Sequence, residues 1–344
     1  MIRIAINGLG RIGKSIARLA CEDKNLQIVA INELNNNIEN IAYVINYDTT
    51  YGALENKFKV VAQNKISNGA NEIFVFSQEL TQIDFEELEI DFVIDASGDK
   101  RCIEFAKNLT NSKKIKAYFV THPNKKADIN IVLGANENNL TKEHKIISTS
   151  SCNATALLPV LEILDKNFGI ECGEIATIHP FLGHQKVLDS GCIGNSDRQV
   201  ECNFEFGRSA SSNIIPSKTT TIDACQLVNE KFNSNIFSSN SFRVPTQTVG
   251  VINATFVLKK LVDKNQILES FVNFEKNQNH KIILNSFDPL VSSDFKAEKF
   301  TTIIDHRFTD VKCSKLLNLV IWYDNEWGYA SKVLDIMKFY HLNF

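Results

Sequence analysis

The feature that most constrains this chain is a glycine-rich turn close to its start. The sequence GLGRIG at residues 8–13 follows an apolar run, residues 2–7, and precedes a stretch with helical apolar spacing, residues 14–22. GxGxxG is a weak signal alone, but a strand before it and a helix after it are the context that supports a dinucleotide-binding turn. The first glycine permits the tight turn, the second lets backbone approach a pyrophosphate, and the third lets strand and helix pack closely. The helix N-terminus supplies N–H groups for the phosphates. The predicted cofactor-binding positions in the turn are Gly8, Gly10, Arg11, Ile12 and Gly13.

An acidic residue follows the second predicted strand at the spacing that such a site requires. Glu33 lies 20 residues after Gly13. A carboxylate there accepts hydrogen bonds from the ribose hydroxyls and repels a 2′-phosphate, so the sequence favours NAD over NADP. The alternative is a glycine turn without a ligand and a solvated Glu33. The agreement of motif, flanking elements and acid favours the dinucleotide site.

Two further strand ends add candidate neighbours of the cofactor. Ligands of open parallel sheets bind outside the carboxyl ends of the strands. Ser97 and Gly98 follow one predicted strand, and Thr121 ends another. An ordinary strand-to-loop turn explains these residues nearly as well.

The order of the predicted elements indicates two domains and a Rossmann fold. Strands alternate with helices over the first 150 residues, which is typical of a parallel sheet with right-handed crossovers. The character changes near Ser151, after which a long helix precedes longer strands, so we expect an α+β catalytic domain on a mostly antiparallel sheet. The predicted domains are an NAD-binding Rossmann domain at 1–151, a catalytic domain at 152–324, and a C-terminal helical segment at 325–344 that returns to the first. The predicted strands are 2–7, 27–31, 72–76, 92–95, 117–121, 129–133, 174–179, 241–245, 250–260 and 316–322, and the predicted helices are 14–22, 38–46, 101–108, 153–167 and 330–340.

Composition excludes several other classes of protein. The 344 residues are 44% hydrophobic and 22% charged with a net charge of -3, an ordinary globular balance that indicates neither a nucleic-acid partner nor a membrane surface. No uncharged apolar run approaches the roughly 18 residues of a membrane span, and the start of the chain lacks the order of a signal peptide. The eight cysteines form no CxxC and no zinc spacing, so we expect no metal site and reduced thiols in the cytoplasm.

One cysteine is placed for chemistry. Cys152 opens the long predicted helix, where the helix dipole lowers the pKa of a thiol, and His179 ends a strand 27 residues later. A Cys–His pair within hydrogen-bonding reach activates the thiol and then handles protons. A buried structural cysteine is the better explanation for any single thiol, and the helix start makes the two explanations about equal for Cys152.

The second half of the chain also offers cations and hydroxyls for an anion. Arginine makes forked contacts to phosphate oxygens, although a solvated or ion-paired arginine is the commoner case for each one singly. The candidates are Ser151, Arg208, Lys218, Thr219, Thr220 and Arg243.

Taken together, these pieces resemble the phosphorylating glyceraldehyde-3-phosphate dehydrogenase family along essentially the whole chain. The opening INGLGRIGKSIAR is similar to the family's INGFGRIGR, and Ser151-Cys152 to the start of its SCTTN signature. TIH at 177–179 is similar to its TTxH strand. The blocks IIP at 214–216, RVPT at 243–246 and WYDNEWGY at 322–329 follow in the family's order.

The resemblance implies a role for each matched residue. Cys152 adds to the aldehyde, His179 takes the proton as hydride passes to NAD, and inorganic phosphate cleaves the resulting thioester to an acyl phosphate. Asn325 holds the nicotinamide carboxamide, with Tyr329 of the same block at the cofactor. The implied substrate and phosphate residues are Ser151, Asn153, Thr219, Thr220 and Arg243. Family members are homotetramers, which is the expectation here.

The departures from the family pattern concern the anion sites. Asn153 replaces a threonine that helps to bind the attacking phosphate. Leu182 stands where a threonine holds the substrate's own phosphate, and His184 replaces the nearby acid. Only Arg208 remains of an arginine-rich stretch, Thr220 replaces a glycine, and the segment between His179 and Pro216 is longer than usual.

Two features are similar to the sister family, the erythrose-4-phosphate dehydrogenases, which hydrolyse the thioester. These are INE at 31–33 and THP at 121–123. The leading expectation is NAD-dependent oxidation of glyceraldehyde 3-phosphate to 1,3-bisphosphoglycerate. Erythrose 4-phosphate, another phosphorylated aldehyde, and a non-catalytic paralogue that only binds NAD remain as alternatives.

Overall fold

The chain is described by a computed structural model that covers residues 1–34, 37–99, 101–191 and 204–344. It divides into two compact units. The first unit consists of Met1–Ile131, Asn138–Ser150 and Ala330–Phe344, and the second of Val132–Glu137 and Ser151–Tyr329. None of the helices in the described ranges is both long and apolar enough to cross a membrane.

The first unit is built on a nine-stranded sheet, and the predicted Rossmann architecture is confirmed. Its strand order is β10-β11-β9-β8-β1-β2-β7-β6-β5, parallel from β10 to β7 and antiparallel only in the β5–β6–β7 edge. The order reverses at β1, which pairs with β2 on one side and β8 on the other, so the ligand crevice of such a fold lies at the end of β1. The strands are β1 (Ile2–Asn7), β2 (Leu26–Asn32), β5 (Lys59–Ala62), β6 (Lys65–Ser67), β7 (Glu72–Phe76), β8 (Phe92–Asp95), β9 (Ala117–Val120), β10 (Ile129–Asn130) and β11 (Ile146–Ser148), with β3 (Tyr47–Asp48) and β4 (Gly52–Ala53) as a separate pair.

Helices cover this sheet because its central strands are apolar and buried. β8 and β9 are buried at every position, as parallel strands between two helical layers must be. The helices are α1 (Arg11–Glu22), α2 (Ile38–Asn46), α3 (Cys102–Asn111) and the part of α7 (Trp327–Asn343) that belongs to the first unit. In α7, Tyr340 lies edge-on to Phe92 at 6.0 Å, and Lys338 pairs with Asp23 at 3.1 Å.

The second unit contains an eight-stranded, mostly antiparallel sheet, as predicted. Its order is β13-β14-β12-β15-β19-β17-β16, with β18 on β19, and only β12–β14 and β16–β17 are parallel among the described pairs. The strands are β12 (Ile170–Pro180), β13 (Ile215–Ser217), β14 (Phe237–Val244), β15 (Gly250–Leu258), β16 (Ile283–Ser286), β17 (Thr302–Asp305), β18 (Asp310–Lys312) and β19 (Leu316–Tyr323). The helices are α4 (Cys152–Phe168), α5 (Thr221–Val228) and α6 (Lys264–Asn277).

The elements that the sequence did not predict are short or polar. The β5–β6 hairpin, β11, β13 and β16–β18 consist of strands of three or four residues, which are too short to show a periodic pattern. Helix α6 buries only Ile267 and Phe271. The sequence feature that indicates the start of α6 is a capping box, in which the side chains of Asp263 and Gln266 each accept a hydrogen bond from the other's backbone N–H. The predicted strand 129–133 is shorter than expected, and α7 begins three residues earlier, at Trp327.

Candidate active site

The glycine turn has the geometry that each of its three glycines was predicted to allow. Gly8 adopts φ +85, and a Cβ there would lie 2.5 Å from Ser97 Cα. A Cβ on Gly13 would lie 1.9 Å from the Gly8 carbonyl oxygen, so that position packs helix on strand. A Cβ on Gly10 would meet no described atom within 4 Å, which leaves open space beside the backbone. That is the cradle in which a pyrophosphate approaches the main chain.

Helix α1 begins at this cradle without a side-chain cap. Its N-cap, Gly10, makes no side-chain cap hydrogen bond, and its first turn, which contains Ile12, has no acidic residue. The Arg11 side chain turns to Asp48 instead, at 2.6 Å, and Lys14 pairs with the same carboxylate. The Arg11 side chain is therefore held by Asp48. An uncapped helix start beside an open glycine fits a dinucleotide pyrophosphate.

Glu33 lies against the same turn. Its Oε2 accepts a hydrogen bond from the Leu9 N–H at 2.7 Å, and the Gly8 N–H donates to the Asn32 carbonyl at 2.8 Å. The half-buried carboxylate is thus fixed next to the glycines. The predicted role of this carboxylate is to accept hydrogen bonds from the ribose hydroxyls.

A buried carboxylate, which sequence reasoning missed, organises the remaining strand ends. Asp95 Oδ1 accepts from the Ser97 N–H at 2.9 Å and the Ser97 hydroxyl at 2.6 Å, while Oδ2 accepts from Asn7 at 3.1 Å and from Tyr118. Thr121 Oγ1 donates to the Asp95 carbonyl at 3.0 Å. Burial and the Asp95 charge raise the pKa of the Tyr118 phenol. Its position at the end of an apolar strand was the only available signal for Asp95.

Ser97, Gly98 and Thr121 consequently share the carboxyl edge of the sheet with the glycine turn. Gly98 has φ +69, a conformation that favours glycine. The structure brings these three predicted positions to the crevice where Rossmann folds bind their ligand.

In the second unit, Cys152 and His179 come together. Cys152 is the first residue of α4, whose N-cap Ser151 accepts from the Ala154 N–H at 3.3 Å. Its Sγ lies 3.8 Å from His179 Nε2. His179 Nδ1 lies 2.8 Å from the Pro180 carbonyl oxygen, which accepts only, so Nδ1 carries the proton and Nε2 faces the thiol as an acceptor.

Burial and charge act in opposite directions on this pair. Burial raises the pKa of the Cys152 thiol to about 11, whereas Arg243 and the backbone N–H groups at the start of α4 act to lower it. Burial, followed by the Arg243 charge, lowers the pKa of His179 to about 3. The helix start therefore contributes as expected, but burial is the larger effect. The resting pair is a neutral thiol beside a neutral imidazole that can accept its proton.

Arg243 supplies a half-buried cation next to this pair. It lies opposite His179 in the β12–β14 register, and its Nε and Nη1 are buried without a hydrogen-bond partner in the described part of the chain. Burial lowers the pKa of Arg243, yet an arginine stays protonated in proteins. A guanidinium with buried, unpaired N–H groups marks a place for an anion.

The other two predicted cations lie elsewhere. Arg208 is exposed and pairs with Asp189 at 3.0 Å, and Lys218 is exposed.

The hydroxyl candidates form a network around Asn153. Asn153 Nδ2 donates to Thr221 Oγ1 at 3.0 Å, and Tyr323 OH donates to Asn153 Oδ1 at 2.6 Å. Thr221 Oγ1 lies 2.7 Å from Thr219 Oγ1, and Thr220 is the exposed N-cap residue of α5. Thr221 and Tyr323 were not predicted, although each lies next to a residue or within a block already singled out.

Asn325 is held in one orientation. Its Oδ1 accepts from the Val249 N–H at 3.0 Å and from Thr248 Oγ1 at 3.3 Å, which leaves its Nδ2 group as a donor. Val249 adopts φ +68, which is strained for a β-branched residue. Tyr329 is buried in the same unit, in the first turn of α7.

The remaining points concern the long segment after His179 and possible metal ligands. Residues 192–203, with Cys192 and Cys202, belong to the long segment after His179 and are outside the described residues. Among the residues that are described, His, Cys, Asp and Glu form no group of three or more that could hold a metal ion.

A Rossmann unit with an NAD-type crevice and a second unit with a Cys–His pair define a dinucleotide-dependent dehydrogenase. Two family models match, "Glyceraldehyde 3-phosphate dehydrogenase, NAD binding domain" over residues 2–101 and "Glyceraldehyde 3-phosphate dehydrogenase, C-terminal domain" over residues 151–325. The chain belongs to the glyceraldehyde-3-phosphate dehydrogenase family and is an NAD-dependent dehydrogenase.

Two curated relatives span almost the whole chain. Glyceraldehyde-3-phosphate dehydrogenase 2 of Bacillus subtilis (strain 168) is 31% identical over 338 residues, covering 98% of this chain and 96% of the relative. Glyceraldehyde-3-phosphate dehydrogenase 1 of Kluyveromyces marxianus is 32% identical over 338 residues, covering 98% and 99%. The resemblance noted in the sequence is thus confirmed.

Proposed function

We propose that the protein oxidises glyceraldehyde 3-phosphate to 1,3-bisphosphoglycerate with inorganic phosphate, through a thioester on Cys152. The observation that carries the proposal is the grouping of Cys152, His179 and an unpaired Arg243 in one unit. The grouping combines a nucleophile, its base and a cation for the substrate's phosphate. The two relatives, whose names specify this aldehyde, support it.

Cys152 and His179 carry the covalent chemistry. The sulfur–carbon bond forms as the carbonyl π bond opens, and the thiol proton moves through His179 Nε2 to the carbonyl oxygen, which gives a hemithioacetal. His179 then takes the hydroxyl proton as the carbon loses its hydride, which leaves a thioester. The Nδ1–H bond to the Pro180 carbonyl keeps Nε2 directed at the reacting atoms throughout.

NAD, when bound, supplies the hydride acceptor. Gly8, Gly10 and Gly13, with the start of α1, would hold its pyrophosphate, and Glu33 its ribose. Asn325 Nδ2 would donate to the nicotinamide carboxamide, and Tyr329 remains a proposed neighbour of the cofactor.

Phosphate is proposed to release the product by attacking the thioester carbonyl, with Cys152 sulfur as the leaving group. Ser151, Thr219 and Thr220 are its proposed ligands. Asn153 is connected to this proposed phosphate site by hydrogen bonds, because it donates to Thr221, whose hydroxyl contacts that of Thr219.

Asn153 also favours a second candidate, hydrolysis of the thioester after oxidation of erythrose 4-phosphate. Its carboxamide is engaged by Tyr323 and Thr221, so it has less to offer a phosphate than an unengaged hydroxyl would. Water as the attacking group needs no second anion site.

The test is NADH formation by the purified protein with glyceraldehyde 3-phosphate, with and without inorganic phosphate. The proposal expects fast turnover that requires phosphate. Turnover that ignores phosphate, or that occurs only with erythrose 4-phosphate, would assign the hydrolytic reaction instead. No turnover with either aldehyde would send the search to other phosphorylated aldehydes.

We also propose a homotetramer in the cytoplasm. Family resemblance supports the tetramer, and exposed apolar side chains near the β13–β14 edge, Ile214 and Phe242, support a subunit contact there. Light scattering in solution tests the mass, and a monomer would refute it. The reduced thiols suit a cytoplasmic location, which cell fractionation tests.

A further inference from the structure

We infer that Gln185 is a specificity-determining residue, whose Nε2 donates a hydrogen bond to the phosphate of the aldehyde substrate beside Arg243. The inference rests on the proposed function, because it deepens the same substrate site. It assigns to a carboxamide the contact that the apolar side chain of Leu182 cannot make.

The carboxamide of Gln185 has a fixed orientation. The Leu182 N–H donates to it at 2.7 Å, and only an oxygen can accept that bond, so Oε1 faces Leu182 and Nε2 points away. The Gln185 N–H donates in turn to the Leu182 carbonyl at 2.9 Å, which closes a tight turn and holds the side chain.

Nε2 is a donor without an acceptor. Gln185 is only 8% exposed, and within the described ranges its Nε2 is buried and makes no hydrogen bond. A buried amide donor is costly unless a ligand or water satisfies it. Arg243 Nε and Nη1 are unsatisfied in the same way, as is Thr246 Oγ1.

The chain places these donors in one neighbourhood. Gln185 lies five residues after the end of β12, where Pro180 pairs with Val244. The Phe181 N–H donates to the Thr246 carbonyl at 3.3 Å, so the turn begins alongside the residues that follow Arg243. His184 is close enough for the Arg243 charge to add to burial in lowering its pKa.

A phosphate is the ligand that satisfies this donor set. A guanidinium, an amide N–H and a hydroxyl are all donors to oxygen, and the neighbouring residue His184 brings no carboxylate to compete with the ligand. An unphosphorylated aldehyde would leave these donors unpaired and should gain nothing from Gln185.

The variant Gln185→Glu replaces the Nε2 donor with a carboxylate oxygen. It keeps an oxygen for the Leu182 N–H, loses Nε2 and adds a negative charge, so the turn is preserved. We expect KM for glyceraldehyde 3-phosphate to rise about tenfold or more, because a hydrogen bond to a charged group is lost, with kcat changed by less than about threefold. For unphosphorylated glyceraldehyde, kcat/KM should stay within about twofold. Gln226→Glu, the same change at an exposed position of α5, is the matched control and should behave as wild type.

Anion binding alone gives a second readout. Inorganic sulfate should protect Cys152 of the wild-type holoenzyme from iodoacetamide, and protection should need about tenfold more sulfate in Gln185→Glu. An unchanged KM, an equal loss on both aldehydes, or unchanged protection would overturn the role of Gln185. Failure of the wild type to oxidise any phosphorylated aldehyde would instead overturn the proposed function, and the sulfate assay would still decide whether Gln185 binds an anion.

Discussion

Glu33 is the side chain that we propose sets the preference for NAD over NADP. In Glu33→Gln, an oxygen still accepts the Leu9 N–H, so the turn stays intact while the charge is removed. We expect the Kd for NAD to rise about tenfold and the preference over NADP to narrow, because hydrogen bonds to a carboxylate are lost together with its repulsion of a 2′-phosphate. Titration by protein fluorescence measures both constants, with the exposed Glu55→Gln as control. An unchanged NAD/NADP ratio would show that Glu33 is not the ribose ligand.

His179 is the residue that we propose activates the Cys152 thiol. His179→Asn removes the acceptor that lies 3.8 Å from Cys152 Sγ. We expect kcat/KM for the aldehyde to fall roughly 100- to 10,000-fold, the usual contribution of a general base, while NAD affinity is retained. Steady-state kinetics and an NAD titration of the same preparation check the two expectations. An equal loss of NAD affinity would point to a structural role instead.

The sequence predicted these residues better than their electrostatics. The motif spacing singled out Gly8, Cys152 and His179 as candidates, and the structure brings Cys152 and His179 together. It could not show that burial would outweigh the helix dipole at Cys152, since the depth of a side chain depends on the whole fold. Asp95 was missed for the same reason: its partners Asn7, Ser97 and Tyr118 come from distant parts of the chain.

Among the elements, Asn153 links the nucleophile helix α4 to α5 and β19. Asn153→Ala would leave the buried Tyr323 hydroxyl without its acceptor, which costs about 1–3 kcal/mol of unfolding free energy. We also expect slower thioester release, because Thr221, whose hydroxyl contacts that of Thr219, loses its Asn153 partner. Urea unfolding and single-turnover kinetics measure the two effects.

A double-mutant cycle with Tyr323→Phe separates this contact from other effects of the variants. If Asn153 and Tyr323 interact as described, the double variant is less destabilised than the sum of the two single changes. Additive losses would contradict the link between α4 and β19.

Among the helices and strands, the sequence predicted the long, periodic ones. It missed the short strands that form only by pairing with a neighbouring strand. β1 and α2 have the predicted bounds because their apolar patterns are clear. β13, which holds Ile215 opposite Arg243, has three residues and no periodicity of its own. Such a strand forms because it can pair with the edge of β14. This pairing depends on the tertiary structure and not on the local sequence.

The whole molecule is expected to lose stability in mild acid through its buried histidines. The pKa of His179 is lowered by burial to about 3 and that of His306 to about 4, against 6.5 when unfolded. The unfolded chain therefore binds more protons between these values, and the unfolding free energy falls as pH drops below about 6.5. Burial raises, and hydrogen bonds with Arg307 lower, the pKa of Asp305; the net effect is a lowered pKa, so its contribution is lost only below about pH 4.

Urea unfolding of the wild type at pH 7.5 and 5 tests the contribution of the histidines, because pH 5 lies below 6.5 but above the range in which Asp305 acts. We expect a lower free energy of unfolding at pH 5, and a smaller difference in His306→Asn. Equal stability at the two pH values would mean that the histidines are not held neutral by burial.

The most direct test of the account is to trap the intermediate on Cys152. The protein is mixed with NAD and glyceraldehyde 3-phosphate without inorganic phosphate, quenched in acid, digested and measured by mass spectrometry. We predict an acyl adduct on the peptide that contains Cys152, one equivalent of NADH per adduct, loss of the adduct when phosphate is added before the quench, and no adduct in Cys152→Ser. NADH formation without any adduct at Cys152, or an adduct that persists in Cys152→Ser, would contradict the central claim that this thiol is the nucleophile.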